Sequence, residues 1–155
     1  MTLILRPYQP PDFQSLYRID QACYEPGIAY SRRMLREYLM LPESHCLVAV
    51  DDGAIVGFVI AFWHEWYAHV ITIDVVESAR RHGVGSALLG EIEGQMAAAG
   101  VRMVELETAM NNPAAIAFWQ KHGYRAVAIH PRYYKNRIDA YRMVKEIASV
   151  RAKES

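Results

Sequence analysis

The stretch from Ile71 to Gly90, ITIDVVESARRHGVGSALLG, constrains the fold more than any other part of the chain. It opens with β-branched residues, which predict a strand. After a short polar turn, the spacing of its apolar residues becomes that of an amphipathic helix, which we expect to begin at Arg80 and to include Leu89. The sequence therefore predicts a strand that feeds directly into a helix N-terminus.

The start of that predicted helix has the features of an anion site. Gly83 and Gly85 leave backbone N–H groups uncovered, and they stand next to the basic residues Arg80, Arg81 and His82. The positive end of a helix dipole and unpaired N–H groups together favour negative charge. We therefore predict a phosphate or pyrophosphate ligand here.

Known phosphate-binding motifs fit this stretch unequally. A nucleotide-binding P-loop needs Lys and then Ser or Thr after its second glycine, but Ser86 and Ala87 follow here. A dinucleotide fingerprint needs a third glycine where Leu88 stands, although Glu105 and Glu107 lie at about the distance of a ribose-binding acid. The P-loop is excluded. Dinucleotide binding stays open at this point, as does a plain basic helix start with two turn glycines.

Composition limits the remaining classes. The chain has 155 residues, enough for one domain, and its 17 basic and 17 acidic residues cancel, so no basic field predicts nucleic-acid binding. Cys23 and Cys46 follow no metal-ligand spacing and cannot form a disulfide framework. No apolar run approaches the roughly 20 residues of a membrane span, and no leader pattern is seen. We expect a soluble, cytoplasmic protein without a metal or a membrane partner.

Hydrophobic periodicity predicts an α/β or α+β fold whose mixed sheet starts antiparallel and contains a parallel pair. We expect one domain over residues 1–147 and a charged tail over residues 148–155. Asp12 is a candidate helix cap, Ser31 starts a second helix, and Asn112 caps a third. The other predicted elements are strands at Thr2–Arg6, Cys46–Val50, Ile55–Phe62, Val101–Thr108, Arg125–Ile129 and Ile138–Val144, and a loop at Trp63–Ala68 that overhangs a binding site.

Three segments carry a resemblance to a known family. They are Arg80-x-x-Gly83-x-Gly85, LETAMNNPAAIAFWQKHGY, and RYYKNRIDAYRM. Together they resemble the GNAT superfamily of N-acetyltransferases, over nearly the whole chain. The last segment resembles the C-terminal pattern of protein N-terminal acetyltransferases, including the ribosomal-protein alanine enzymes, and departs from it at Arg137 and Ile138.

The resemblance implies a GNAT fold with six to seven strands, a splayed central parallel pair and about four helices. It implies acetyl-CoA as cosubstrate and direct transfer to a primary amine, most naturally the α-amine of a protein or peptide N-terminus, by a monomer or dimer. A small amine, a polyamine or a lysine side chain is the alternative acceptor. A CoA-binding regulatory module without catalysis is the alternative of another class, because Trp119 stands where those relatives carry a tyrosine.

The resemblance also implies site residues. Glu107 would be the general base, at the carboxyl end of a parallel strand. His69, expected to share a face with Ile71 and Ile73, would be a second base candidate. Each could instead be structural. The CoA-binding residues would be Ile73, Val75, Val76, Arg80, Arg81, His82, Gly83, Val84, Gly85, Ser86, Asn112, Phe118 and Trp119.

Two tyrosines and two loops complete the expected site. Tyr133 and Tyr134 would donate a proton to the leaving thiolate or bind the acceptor, with water as a substitute donor. The loops Tyr24–Tyr30 and Trp63–Tyr67 would form the acceptor wall, unless their aromatic residues simply pack on the core. Because the two cysteines lie outside these segments, no acetyl-cysteine intermediate is expected.

Overall fold

The computed structural model describes residues 2–148, which form a seven-stranded sheet and four α-helices. The strands are β1 (Leu3–Pro7), β2 (Ser44–Asp51), β3 (Ala54–His64), β4 (Tyr67–Val75), β5 (Met103–Ala109), β6 (Arg125–His130) and β7 (Ala140–Glu146). The helices are α1 (Phe13–Cys23), α2 (Arg32–Met40), α3 (Val84–Ala98) and α4 (Pro113–Lys121), with short 3₁₀ turns at Pro10–Asp12 and Glu77–Ala79. The predicted tail, beyond Ala148, lies outside the described residues.

The strand order is β1-β2-β3-β4-β5-β7-β6, and within the described chain β4 and β5 are the one parallel pair. The predicted mixed sheet is thus confirmed. A doubly wound parallel sheet, which the dinucleotide-binding alternative requires, is excluded. The predicted hairpin between β2 and β3 is also confirmed, with Asp52 and Gly53 at φ of 49° and 81° in its turn.

The parallel pair separates soon after it forms. β4 and β5 are in register only from Tyr67 opposite Met103 to His69 opposite Glu105. Beyond that point each strand continues without the other, β4 to Val75 and β5 to Ala109. The expected splay is confirmed, and it leaves one edge of β4 without a strand partner.

A bulge in β4 reverses the direction of its side chains. Ile60 of β3 pairs with Thr72, whereas Ala61 pairs with Val70. Ile71 of β4 therefore has no pairing partner on β3. Ile71 packs with the core on the α1–α2 side of the sheet, and Ile73 packs with the core on the α3 side. The prediction that His69 shares a face with Ile71 and Ile73 is therefore wrong for Ile73, because the bulge lies between the two residues.

The sheet separates two apolar cores. One lies under α3 and α4 and includes Leu88, Ile92 and Met96, all with 0% exposure. The other lies under α1 and α2 and includes Leu16 and Leu35. Burial of these side chains on both faces holds the central strands in place.

Two predicted helix starts need correction. α3 begins at Val84 rather than Arg80, because the preceding residues form a turn in which Arg81 and Gly83 have φ of 68° and 79°. Asp12 precedes α1 but does not cap it with its side chain. Its carboxylate instead accepts from the N–H of Gln9 and pairs with Arg6 at 2.8 Å. The predicted caps Ser31 and Asn112 are confirmed, since they accept from the N–H groups of Met34 and Ala115.

The predicted overhanging loop at Trp63–Ala68 is wrong. β3 runs to His64 and β4 starts at Tyr67, so the connection is a tight turn of Glu65 and Trp66. The carbonyl of Trp66 accepts from the N–H groups of Arg102 and Met103, at the closed end of the β4–β5 pair. Among the described residues, no helix has the length and apolar character needed to cross a bilayer.

Candidate active site

A histidine and a glutamate meet where β4 and β5 separate. His69 is the last residue of β4 in register with β5, and Glu107 lies two residues beyond its register partner, Glu105. His69 Nε2 and Glu107 Oε2 are 2.6 Å apart, and the two side chains are 21% and 10% exposed. The two candidate bases predicted from the sequence are thus one hydrogen-bonded pair that solvent can still reach.

The Glu107 carboxylate is held in its ionised form. Burial alone would raise its pKa, but the hydrogen bond and charge of His69, with help from His130 and Glu105, hold the pKa of Glu107 below its ordinary value. A carboxylate can only accept, so the proton in this bond belongs to His69 Nε2. In the neutral tautomer of this pair the lone pair lies on Nδ1, which is the atom that could take a proton from a substrate.

A second acid stands beside the pair. The ligand atoms of Glu105, Glu107 and His69 lie within 4.8 Å of one another, which makes them the residues here that could hold a cation. Arg142 of β7 already binds Glu105, with its Nη2 2.8 Å from Oε2. The guanidinium opposes a further positive charge at this position. Sequence reasoning missed Arg142, which cross-strand pairing of β5 with β7 brings opposite Glu107.

The unpaired edge of β4 is capped by side chains from the end of α1 and the loop after it. Tyr30 Oη donates to the carbonyl of Ile71 and Tyr24 Oη to that of Ile73. Cys23 Sγ donates to the carbonyl of Val75 at 3.4 Å. In an extended strand the N–H and C=O of one residue point to the same edge. These three side chains therefore occupy the carbonyl acceptors of this edge. Its backbone N–H donors face the gap between β4 and β5, which we call the cleft.

The position of Cys23 corrects an expectation. The thiol lies at the end of β4, next to the backbone of Val75, rather than away from the site. Burial, with the charge of Asp74, raises the pKa of Cys23 to about 11, although Arg80 lowers it in part. The thiol stays protonated near neutral pH and is a poor nucleophile. The conclusion that no acetyl-cysteine forms thus stays a prediction, now for this reason rather than for distance.

The turn before α3 has a backbone geometry compatible with the predicted anion site, which we call the cradle. Gly83 precedes the helix in the left-handed conformation, and no side chain caps the first turn. A Cβ on Gly85 would lie 3.2 Å from the ring of Phe118 and 3.8 Å from Val75. Because Gly85 has no side chain, the start of α3 lies directly against α4 and the end of β4. Val84 itself is 1% exposed, so only its backbone can face a ligand.

The basic residues of the turn differ in their freedom. Arg80, Arg81 and His82 are all exposed, but Arg80 folds back, with Nε donating to the carbonyl of Val75 at 3.1 Å. Ser86 Oγ lies 2.9 Å from His122 Nε2, so α3 and the end of α4 are joined beside the cradle. His122 was missed from the sequence, where only its place before Gly123 at the end of α4 could have suggested a role.

The three residues predicted on or before α4, Asn112, Phe118 and Trp119, have clear structural roles. Asn112 Oδ1 caps the helix at 3.1 Å from the N–H of Ala115. Trp119 is 7% exposed and belongs to the α3-side core, where its ring packs edge-on against Tyr124 and Phe118. Phe118 is the partly buried member of this group and contacts the start of α3. Val76 likewise packs between the two cores.

The β6–β7 loop brings the predicted tyrosines towards Glu107. The rings of Tyr133 and Tyr134 pack edge-on at 4.9 Å. Burial, with the charge of Glu107, raises the pKa of Tyr133 to about 12, and burial also raises that of Tyr134, so both phenols keep their protons. The same loop contacts the α1–α2 loop, since the N–H of Lys135 donates to the carbonyl of Gly27 at 3.2 Å. Two of the sequence-predicted acceptor elements therefore lie side by side.

Comparison with known proteins identifies the family of this arrangement. The sequence matches the acetyltransferase (GNAT) family over residues 13–124. An N-alpha-acetyltransferase of Sulfolobus acidocaldarius is 33% identical over 146 residues, covering 85% of each chain. Ard1 from Thermoplasma volcanium has a crystal structure that superposes with a TM-score of 0.85 at 30% identity, covering 95% of this chain and 99% of that one.

The fold is also that of the ribosomal-protein-S18-alanine N-acetyltransferase from Escherichia coli, with a TM-score of 0.86 over 95% of each chain at 23% identity. The family match spans most of the chain, and the splayed seven-stranded sheet is the one that the resemblance implied. The chain therefore belongs to the GNAT family of acetyltransferases.

Proposed function

We propose that this acetyltransferase moves the acetyl group of acetyl-CoA directly to the α-amine of a protein or peptide N-terminus. The observation that carries the proposal is the contact between His69 and Glu107, 2.6 Å apart at the point where β4 and β5 open. The N-alpha-acetyltransferase of Sulfolobus acidocaldarius, 33% identical over most of both chains, supports an α-amine as the acceptor.

The donor is held mainly by backbone groups. The pyrophosphate of CoA binds at the turn before α3, where Gly83 and Gly85 leave the first N–H groups of the helix open. The pantetheine arm follows the N–H groups of Ile73 and Val75 on the splayed edge. Such donors also stabilise the oxyanion that develops on the thioester carbonyl.

The chemical step needs one base and one proton donor. His69 Nδ1 accepts a proton from the amine, and the Glu107 carboxylate orients the ring and stabilises its positive charge. The amine nitrogen bonds to the acetyl carbon as the carbon–sulfur bond breaks. The leaving thiolate takes a proton from water or from Tyr133 or Tyr134, whose raised pKa values keep them protonated.

Two assays test this function. Acetyl-CoA and CoA should raise the thermal unfolding midpoint, whereas NAD and ATP should not, because a ligand that binds only the folded state stabilises it. Release of the free CoA thiol should then be faster with a panel of peptides than with polyamines. No stabilisation by CoA would refute donor binding, and turnover with polyamines alone would refute the acceptor. The cytoplasmic location and the monomer or dimer state stay predictions.

A further inference from the structure

Two buried aspartates, Asp20 of α1 and Asp74 of β4, lie where the helix packs on the strand. Asp20 is 0% exposed and Asp74 is 1% exposed. Among residues 2–148 neither carboxyl forms an ion pair. One oxygen of each, Asp20 Oδ1 and Asp74 Oδ2, has no hydrogen-bond partner among these residues, and the two carboxyls lie close enough to shift each other's pKa. Two carboxylates cannot hydrogen-bond each other, because both only accept, whereas a proton on one of them would give both of these oxygens a partner.

The remaining oxygens of the pair reach the residues that cap the splayed edge. Asp20 Oδ2 accepts from the backbone N–H of Tyr30 at 2.7 Å. Asp74 Oδ1 accepts from Thr72 Oγ1 at 2.5 Å, so Thr72 Oγ1 can only accept from the hydroxyl of Tyr24, 3.3 Å away. The one proton of Tyr24 is shared between Thr72 Oγ1 and the carbonyl of Ile73, at 3.2 Å. Both capping tyrosines are thus linked to the carboxyl pair, one through its backbone and one through Thr72.

We propose that Asp20 and Asp74 share one buried proton, and that this carboxyl pair positions the tyrosines that cap the splayed edge of β4. Asp20 and Asp74 act as positioning residues, since neither reaches the cleft. The shared proton holds α1 against β4. The pair then fixes Tyr24 through Thr72 and Tyr30 through its backbone N–H, and these two tyrosines donate to the carbonyls of Ile73 and Ile71.

The surroundings keep the proton on the pair. Burial raises the pKa of both aspartates, and the negative charge of Asp20 adds to the effect on Asp74, whose pKa lies well above its ordinary value. The titratable groups that face the pair are Cys23, Tyr24 and Tyr30 from the α1 side and Cys46 from β2, all of whose pKa values are raised and which are therefore neutral. The nearby cation, Arg80, binds the carbonyl of Val75 and the thiol of Cys23.

The shared proton has a thermodynamic consequence that does not depend on the proposed function. In the unfolded chain both aspartates are ionised above about pH 5. The folded state then holds one more proton than the unfolded state, so stability is present at low pH and is lost as pH rises towards the folded pKa of Asp74. Because of this proton, the equilibrium constant for unfolding rises about tenfold for each unit of increase in pH, as long as the pH stays below the folded pKa.

Equilibrium unfolding in urea from pH 5.5 to 7.5 tests this. Asp74→Asn offers an amide donor to Asp20 and needs no shared proton. The ratio of the wild-type unfolding constant to that of Asp74→Asn should rise about tenfold per pH unit. The matched control is Asp12→Asn, since Asp12 is buried but is paired with Arg6, which lowers its pKa. For that control the ratio should stay constant with pH. A ratio for Asp74→Asn that stays constant over this pH range, as in the control, overturns the shared proton.

The kinetic consequence rests on the proposed acetyl transfer. Thr72→Val cuts the link between Asp74 and Tyr24 while leaving both carboxyls in place. It should raise KM for acetyl-CoA about three- to tenfold, the effect of losing one neutral hydrogen bond, whereas Asp74→Asn should leave KM within about twofold of wild type. An unchanged KM in Thr72→Val, measured on a folded variant, overturns the positioning role. If wild type transfers no acetyl group, the same comparison is made on the Kd for CoA, and the unfolding experiment is unaffected.

Discussion

The two halves of the cleft are built from different parts of the chain. On the donor side, the turn before α3 and the open edge of β4 present backbone N–H groups, and Gly85 contributes by having no side chain. On the acceptor side, His69 and Glu107 present side chains that meet only because two strands are neighbours. A donor common to a whole family suits backbone recognition, whereas chemistry on an amine needs particular ionisable groups. Substitutions should therefore separate donor binding from turnover.

The largest effect is expected on the acceptor side. Glu107→Gln keeps the shape of the side chain but removes the charge that orients His69, and His69→Gln removes the base. Each should lower kcat by about 100-fold or more, the usual contribution of a positioned base, with little change in the affinity for CoA. Steady-state kinetics and calorimetric CoA titration measure the two quantities.

The control for those variants is Glu105→Gln, on the same strand and the same side of the sheet. Its carboxylate is bound to Arg142 rather than to His69, so kcat should fall by less than about tenfold. Equal losses for Glu105→Gln and Glu107→Gln would mean that general negative charge, and not the His69 contact, supports turnover.

A smaller effect is expected on the donor side. In Gly85→Leu the new side chain meets Phe118 and Val75 at the start of α3. It should raise KM for acetyl-CoA about tenfold or more, as overpacking does at a tight contact, while kcat at saturation changes little. Gly90→Leu lies on the same helix with nothing within 4 Å of its Cβ and should leave KM unchanged. A fall in kcat with an unchanged KM would mean that the turn before α3 takes part in the chemical step and not in binding acetyl-CoA.

The cap of α4 should matter mainly for stability. Asn112→Ala removes the acceptor for the N–H of Ala115 and should lower the free energy of unfolding by about 1 kcal/mol. Urea denaturation measures the loss. If KM for acetyl-CoA rises under conditions in which the variant is fully folded, Asn112 also contacts the pantetheine arm, as the sequence resemblance implied.

The smallest effect is expected from Tyr133→Phe. If water protonates the thiolate, removal of this hydroxyl should change kcat by no more than about threefold, because a thiolate is a tolerable leaving group. A loss of 100-fold would assign the proton to Tyr133. Tyr134→Phe is the matched variant, since the two rings are in contact and both phenols stay protonated.

The sequence carries more information about the proposed donor half of the cleft than about the proposed acceptor half. Gly83 and Gly85 lie close together in the chain, so their spacing alone indicates an exposed helix start. The contact of His69 with Glu107 joins residues 38 apart, and periodicity does not show that the two side chains meet. The loop at Trp63–Ala68 was misread because a tight aromatic turn and a binding loop have similar composition.

The bulge at Ile71 and the buried pair of aspartates lay beyond sequence reasoning for another reason. Ile71 continues the β-branched run without a break, so nothing in the pattern marks the residue at which the side chains change face. Asp20 follows the buried Ile19 in α1, and Asp74 interrupts an apolar strand. Each looks like an ordinary polar position until the fold places them together.

Product mapping on one peptide tests the central claim most directly. A peptide with a free α-amine and an internal lysine is incubated with acetyl-CoA and the wild-type protein, and fragment masses then locate the acetyl group. The expected result is acetylation of the α-amine alone, with none in a parallel reaction with Glu107→Gln. Acetylation of the lysine with the α-amine left free, or equal α-amine product from wild type and Glu107→Gln, would contradict the account.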